Sequence, residues 1–310
     1  MDSVAVRAIN CIPNEVSSAV LDYVRSSVAD NTRRAYSSDI QRFLDWGGSI
    51  PSAPEVIANY LAAHAKSHST ATLSRWLSSI SKAHTLRGVD SPCQNEYVRA
   101  TYRGIKRTHG VKQRQATPVL WVDVCAMVET LDGCKGIRDR ALLLVGFAGA
   151  FRRSELVALT VEDVQFVKQG VVVHLRSSKT DQERAGRKVA IPHARGNLCP
   201  VSALEEWLKF SGVSCGPIFR PVDRHGGIGS RTLTAQTVAL IVKQRAEAVG
   251  LDQKLFSGHS LRSGLVTSAA QAGVSSWKIR QQTGHASDAM LARYIRDAQL
   301  FMGNAAGALF

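Results

Sequence analysis

From residue 13 to residue 108, apolar side chains recur at intervals of three and four and hardly ever alternate with polar ones. That spacing is the period of a helix with one buried side, and it leaves little for a sheet to use. Asn31-Thr32 can cap a helix that aligns Tyr36, Ile40, Phe43 and Leu44. Pro54 can open a second, with Val56, Ile57, Tyr60 and Leu61 on one side. Ser69 to Leu86 gathers Leu73, Trp76, Leu77, Ile80 and Ala83 on one face, and Gly88 stops it. Asn95 can cap a last helix with Val98, Tyr102 and Ile105 inward. The pattern predicts a helical bundle over 13–110, preceded by a flexible tail at 1–12.

Beyond the bundle the pattern changes. Helical spacing covers 121–131 and 138–150, and then two short β-branched runs, "VVVHL" (171–175) and "KVAIP" (188–192), flank the polar loop "RSSKTDQERAGR". Those runs predict a hairpin. Helical spacing returns at 200–210, 234–249, 260–272 and 275–282. The expected fold class is therefore α+β, mostly helical with a small β-sheet. A chain of 310 residues can hold two cores, and the expected division is a bundle at 13–110, a basic linker at 111–118 and a second domain at 119–310. Residues 99–114 carry six Lys/Arg (Arg99, Arg103, Lys106, Arg107, Lys112, Arg114) and no acid. Such a run is either a solvated face or a linker laid along a phosphate backbone.

Charge bears on the partner. The chain has 39 Lys+Arg against 25 Asp+Glu, a net +14, which favours a polyanion. The six cysteines (Cys11, Cys93, Cys125, Cys134, Cys199, Cys215) are scattered, with no pair at zinc spacing. That pattern argues against a metal site or a disulfide framework and for a reducing, cytoplasmic setting. The first residues lack the pattern of a signal peptide, and the longest apolar stretch, 141–150, is far too short to span a bilayer. No phosphate-binding glycine loop and no carboxylate cluster for magnesium is present, so neither nucleotide nor metal is expected as a cofactor.

Several residues are suited to chemistry on an anion. Arg152 lies one helical turn before Glu155 in "GAFRRSELVALT", where Gly149 and Ala150 let the chain turn and Ser154 can cap a helix. A carboxylate at that spacing orients a guanidinium fork for phosphate oxygens, although the same pair also occurs as an ordinary surface ion pair. Lys179, in the hairpin loop, is either solvated or placed to hand a proton to a departing oxygen. His259 and Arg262, in "GHSLRSG", project from one side of a helix's first turn, where exposed amides also favour an anion. His285 follows a second glycine, and Tyr294 comes nine residues later. Each histidine alone is compatible with a core role, and Tyr294 with a buried aromatic. As a nucleophile Tyr294 needs cations nearby, because a free phenol has a pKa of about 10.

The ordered set Arg-x-x-Glu, hairpin Lys, His-x-x-Arg, Gly-His and Tyr resembles the catalytic signature of the tyrosine recombinase (phage integrase) family. The stretch from Arg152 to Tyr294 matches it throughout, and 13–110 looks like that family's helical core-binding domain. The resemblance implies a site-specific DNA recombinase working without metal or ATP. Tyr294 would attack a backbone phosphate, giving a 3′-phosphotyrosyl bond and a free 5′-hydroxyl. Arg152 and Arg262 would clamp the non-bridging oxygens, Lys179 would protonate the leaving oxygen, and His259 would assist proton transfer at the tyrosine. His285 would hydrogen-bond the phosphate, and Glu155 would brace Arg152. Family members commonly have Asp and Leu where Ser260 and Thr283 stand here. The implied partners are double-stranded DNA with short inverted repeats and three further copies of the chain, the apolar tail residues Leu300, Phe301, Met302, Leu309 and Phe310 docking on a neighbour or on their own core. No arm-binding module is expected before residue 13. Candidate DNA contacts are Arg33, Arg34, Lys82 and Arg87 in the bundle, the basic run, and Gln236, Lys243 and Arg245 on the 234–249 helix, where Gln236 can read an adenine edge. A type IB topoisomerase-like nicking-closing enzyme and a catalytically silent DNA-binding protein are the competing readings.

Overall fold

The computed structural model describes residues 17–110, 116–176, 186–285 and 287–298. It divides into two compact units, residues 1–114 and 115–310.

The first unit contains α1 (Ser18–Ser26), α2 (Asp30–Asp45), α3 (Pro54–His64), α4 (Thr70–Leu86) and α5 (Glu96–His109). Ile40, Phe43, Ile57, Tyr60, Leu61, Leu73, Trp76, Ile80, Val98 and Ile105 form one apolar core, as the three-and-four spacing predicts. Ser69 and Asn95 cap their helices, each accepting a backbone N–H. The start of α2 differs from expectation. The cap position is Ala29, with no side-chain bond, and Asn31 and Thr32 already lie inside the helix. Asp30 in the first turn supplies the negative charge that the helix start favours instead. A buried carboxylate also links α2 to α4. Asp39 accepts from Arg75 Nε and Nη2 (2.9 and 2.8 Å) and from Ser79 Oγ (2.8 Å), so its burial leaves the charge fully paired.

The second unit begins with α6 (Trp121–Glu129) and α7 (Gly133–Ala148), followed by the short α8 (Arg153–Ala158). Ala141 to Val145 of α7 are buried on every side, which makes it the central helix of the unit. It starts at Gly133, five residues earlier than its apolar period indicates, because the first turns are polar and half-exposed. Next comes a three-stranded antiparallel sheet in the order β1 (Val164–Val167), β2 (Gly170–Leu175) and β3 (Arg187–Pro192). The hairpin pairs Val173 with Val189, and β1 pairs Val164 with Val173 on the other side. Strand β1 goes beyond the expected hairpin: "VQFV" is too short, and too mixed in exposure, to register as a strand by itself. Helices α9 (Pro200–Ser211), α10 (Ala235–Ala248), α11 (Ser260–Gln271), α12 (Ser276–Thr283) and α13 (Asp288–Ala298) complete the unit. No helix among the described residues is long and apolar enough to cross a membrane.

Two packing details set the site. Val266, Ala270, Ile279 and Leu291 form a small separate core, with Tyr294 and Ile295 against it, and this ties α13 to α11 and α12. On its other side α11 meets the segment before α6. A methyl group on Gly264 would lie 1.7 Å from the carbonyl oxygen of Val119. Only hydrogen fits there. Gly264→Ala is therefore expected to cost about 3 kcal/mol or more, lowering the melting temperature by roughly 6 °C or more in thermal unfolding. A melting temperature within a degree of wild type would show that α11 does not pack this closely.

Candidate active site

The bend after α7 starts the site. Gly149 caps the helix in ordinary right-handed geometry (φ −79°), and Ala150 takes the left-handed step at φ +49°. That conformation costs a non-glycine residue roughly 1 kcal/mol. It aims the Ala150 carbonyl at Arg262, whose Nη1 donates to it at 2.7 Å. At the next turn the expected cap, Ser154, is displaced by Arg152. The carboxylate of Glu155 accepts the Arg152 backbone N–H (2.9 Å) and its Nη1 (2.6 Å), so one buried acid both caps α8 and orients the guanidinium. Arg153 instead packs along Gly258. Of the two adjacent arginines, Arg152 is the one held by Glu155.

His259 and Arg262 sit at the start of α11, as the spacing predicts. Arg262 is buried to 1 % exposure, and its Nη2 lies 3.3 Å from His285 Nε2. His285 follows Gly284, which ends α12 in the left-handed conformation (φ +65°). The His259 Nε2 atom lies 3.3 Å from the Tyr294 hydroxyl. Arg152, Glu155, His259, Arg262, His285 and Tyr294 are thus brought together from α8, α11, the α12 terminus and α13. Lys179, Lys112, Arg114 and the apolar tail from Leu300 onward lie outside the described residues.

Two further side chains join this cluster: Arg187, which carried no signal in the sequence, and Thr283, which stood out only as a departure from the family's usual Leu. Arg187, at the start of β3, donates through Nη1 to the Gln282 carbonyl (2.6 Å) and approaches Glu155 at 3.7 Å. A methyl group on Gly284 would strike its guanidinium, with Nε 2.9 Å away. Thr283, fully buried, bonds His285. A strand-end arginine looks like any solvated arginine until the sheet packs against α12.

The electrostatics follow from three guanidinium groups facing one carboxylate. Burial, then the charge of Arg152, brings Arg262 down to about 10. Burial lowers the pKa of Arg187 too. Burial and the nearby Arg262 and Arg152 lower the pKa of His259, although the residue as a whole keeps exposed surface. The same causes drive His285 down to about 3, with His259 and Arg187 adding to them. Both imidazoles are therefore neutral at pH 7. An unfolded chain takes up the His285 proton below 6.5 and the folded chain does not, so folding stability falls with pH through the window from about 6.5 to about 3. At pH 5 the loss from this residue is at most about 2 kcal/mol. Denaturant titrations at pH 7.5 and pH 5 are expected to show a smaller loss for His285→Gln, and equal losses would remove His285 as the source.

The candidate DNA contacts are placed unevenly. In the first unit Arg34, Lys82, Arg99 and Arg107 are exposed. Arg33 pairs with Asp30 (2.8 Å), Arg103 with Glu96, and the Lys106 amine lies over the Tyr102 ring at 4.9 Å. Arg87 is half-buried, its Nε without a partner. In the second unit Gln236 is exposed on the first turn of α10 and Lys243 is half-buried. Arg245 spends its guanidinium on the Thr130 carbonyl (3.1 Å), which leaves it less to offer DNA.

Arg152, Arg187 and Arg262 gather around Tyr294 and the two histidines on a helical scaffold with one small sheet, the arrangement of a protein built to handle an anion. Residues 122–300, more than half of the chain, match the phage integrase family. The chain is 40% identical over 298 residues to an integrase/recombinase xerD homolog of Selenomonas ruminantium, covering 93% of this chain and 87% of the relative. It is 26% identical to the recombinase cre of Escherichia phage P1, covering 80% and 77%. Its fold matches a XerH site-specific recombinase bound to palindromic difH substrate in a post-cleavage complex (TM-score 0.64, 17% identity, 98% and 87% covered). It also matches the Tn1549 transposon integrase in complex with transposon right end DNA (TM-score 0.62, 16% identity, 93% and 98% covered). The chain belongs to the phage integrase family and is a tyrosine recombinase.

Proposed function

We propose that the chain exchanges strands between two short DNA sites, with Tyr294 as the nucleophile. The carrying observation is the 3.3 Å approach of His259 Nε2 to the Tyr294 hydroxyl, beside guanidinium groups that outnumber the acids. A neutral His259 takes the phenol proton as Tyr294 Oη bonds to phosphorus. Arg152 and Arg262 bind the two non-bridging oxygens and stabilise the charge of the pentavalent state. The 5′-oxygen departs with a proton from Lys179, leaving a 3′-phosphotyrosyl bond. Attack by the 5′-hydroxyl of another strand reverses the sequence and returns the proton to Tyr294. No bond energy is lost, so no nucleotide is consumed.

Four strands require four tyrosines, and the working assembly is a homotetramer on two sites. The first unit grips the duplex as a core-binding domain. The DNA partner places the protein with the chromosome in the cytoplasm.

The test is an exchange assay on a plasmid carrying paired inverted repeats from the DNA flanking the gene. Reciprocal exchange between two sites is expected. Relaxation of supercoils without exchange would favour a nicking-closing enzyme. Binding without covalent product would favour a silent DNA-binding protein.

A further inference from the structure

The hydrogen bonds around His285 have only one consistent direction. Arg262 carries donors and no acceptor, so its contact at 3.3 Å requires a lone pair on His285 Nε2. A neutral ring with Nε2 unprotonated carries its proton on Nδ1. That proton has one partner, Thr283 Oγ1, at 2.7 Å. The Thr283 hydroxyl then sends its own proton to the Ile279 carbonyl at 2.8 Å. Each link in the chain Arg262, His285, Thr283, Ile279 then runs from a donor to an acceptor, inside a region where an unpaired polar group is costly.

We propose that Thr283 is a positioning residue that holds His285 as its Nδ1–H tautomer in the DNA-free site, with Nε2 facing Arg262. The functional consequence rests on reading this pocket as the site of the scissile phosphodiester. When Arg262 turns to a phosphate oxygen, His285 serves that phosphate only by donating from Nε2. The ring must then move its proton from Nδ1 to Nε2 through solvent, with no net gain or loss. A hydroxyl accommodates both forms, because it accepts from Nδ1–H and, after rotation, donates to bare Nδ1. A leucine or valine side chain supports neither. Thr283 is fully buried, so water does not readily replace it.

The test uses the full chain without DNA and reads the ring nitrogens of His285 by proton–nitrogen correlation NMR, assigned by their absence in His285→Asn. Wild type is expected to show a protonated Nδ1, its proton slow to exchange, and a lone-pair Nε2. Thr283→Val keeps the shape and removes the hydroxyl, and it is expected to speed exchange of that proton at least about tenfold. Thr283→Ser is expected to restore protection to within about twofold of wild type. A wild-type ring protonated at Nε2, or equal protection in Thr283→Val, would overturn the assignment. Single-turnover cleavage of the flanking repeats adds the functional arm. Thr283→Val is expected to form covalent product about tenfold more slowly with DNA binding unchanged, and Thr283→Ser near the wild-type rate. Full-rate cleavage by Thr283→Val would limit Thr283 to the free state. Absence of cleavage in wild type would count against the phosphodiester reading alone, because the NMR result stands without DNA.

Discussion

Tyr294→Phe is expected to bind its target DNA as wild type does and to trap no covalent complex. The substitution removes one oxygen atom. Its ring still packs against the small core of Val266, Ala270, Ile279 and Leu291, so the fold and the position of α13 are preserved. The lost atom is the one 3.3 Å from His259 Nε2, and among the described residues no other hydroxyl bonds that nitrogen. Covalent protein–DNA adduct, read on a denaturing gel with labelled DNA, should fall to background. Adduct persisting at the wild-type level would remove Tyr294 as the nucleophile, and some other side chain would have to carry the link.

Arg262→Lys is expected to lower the rate of covalent complex formation by roughly 10²- to 10³-fold, the usual loss when one donor to a developing oxyanion is removed. The positive charge remains, but the rigid fork does not. Arg262 now reaches the Ala150 carbonyl and His285 with two different nitrogens, and an ammonium on a shorter reach cannot serve both at once. Arg262→Ala is expected to be worse in a second way. It leaves the Ala150 carbonyl unpaired in a buried position, costing about 1–3 kcal/mol of stability. Burial, the largest cause of the low His285 pKa, remains, but the charge of Arg262 is gone, so that pKa should rise above about 3. A cleavage rate for Arg262→Lys within threefold of wild type would mean that the group acts as a simple charge.

Helices α2 to α5 and the β2–β3 hairpin follow from side-chain period, since a buried face repeats every three to four residues in a helix and every second residue in a strand. The cap at Asn95 was equally legible, because an Asn side chain satisfies an amide next to it in sequence. The start of α2 and the cap of α8 were not. At α8 the carboxylate of Glu155 caps in place of Ser154, and at α2 the helix starts one residue before Asn31 with no side-chain cap at all. Strand β1 was missed because its four residues gain their stability from pairing with β2, not from their own pattern.

Chain order supplied the reactive side chains one after another: an arginine with a carboxylate one turn on, a histidine and arginine at a helix start, a second histidine and a tyrosine. Those relations are local, fixed by helical geometry over three or four residues. Tertiary structure alone decided the rest. It brought Arg187 of β3 beside Glu155 of α8 and aimed the Ala150 carbonyl at Arg262. Such contacts join atoms up to 112 residues apart, and only the packing of α11 and α12 against the rest of the unit brings them within hydrogen-bonding range.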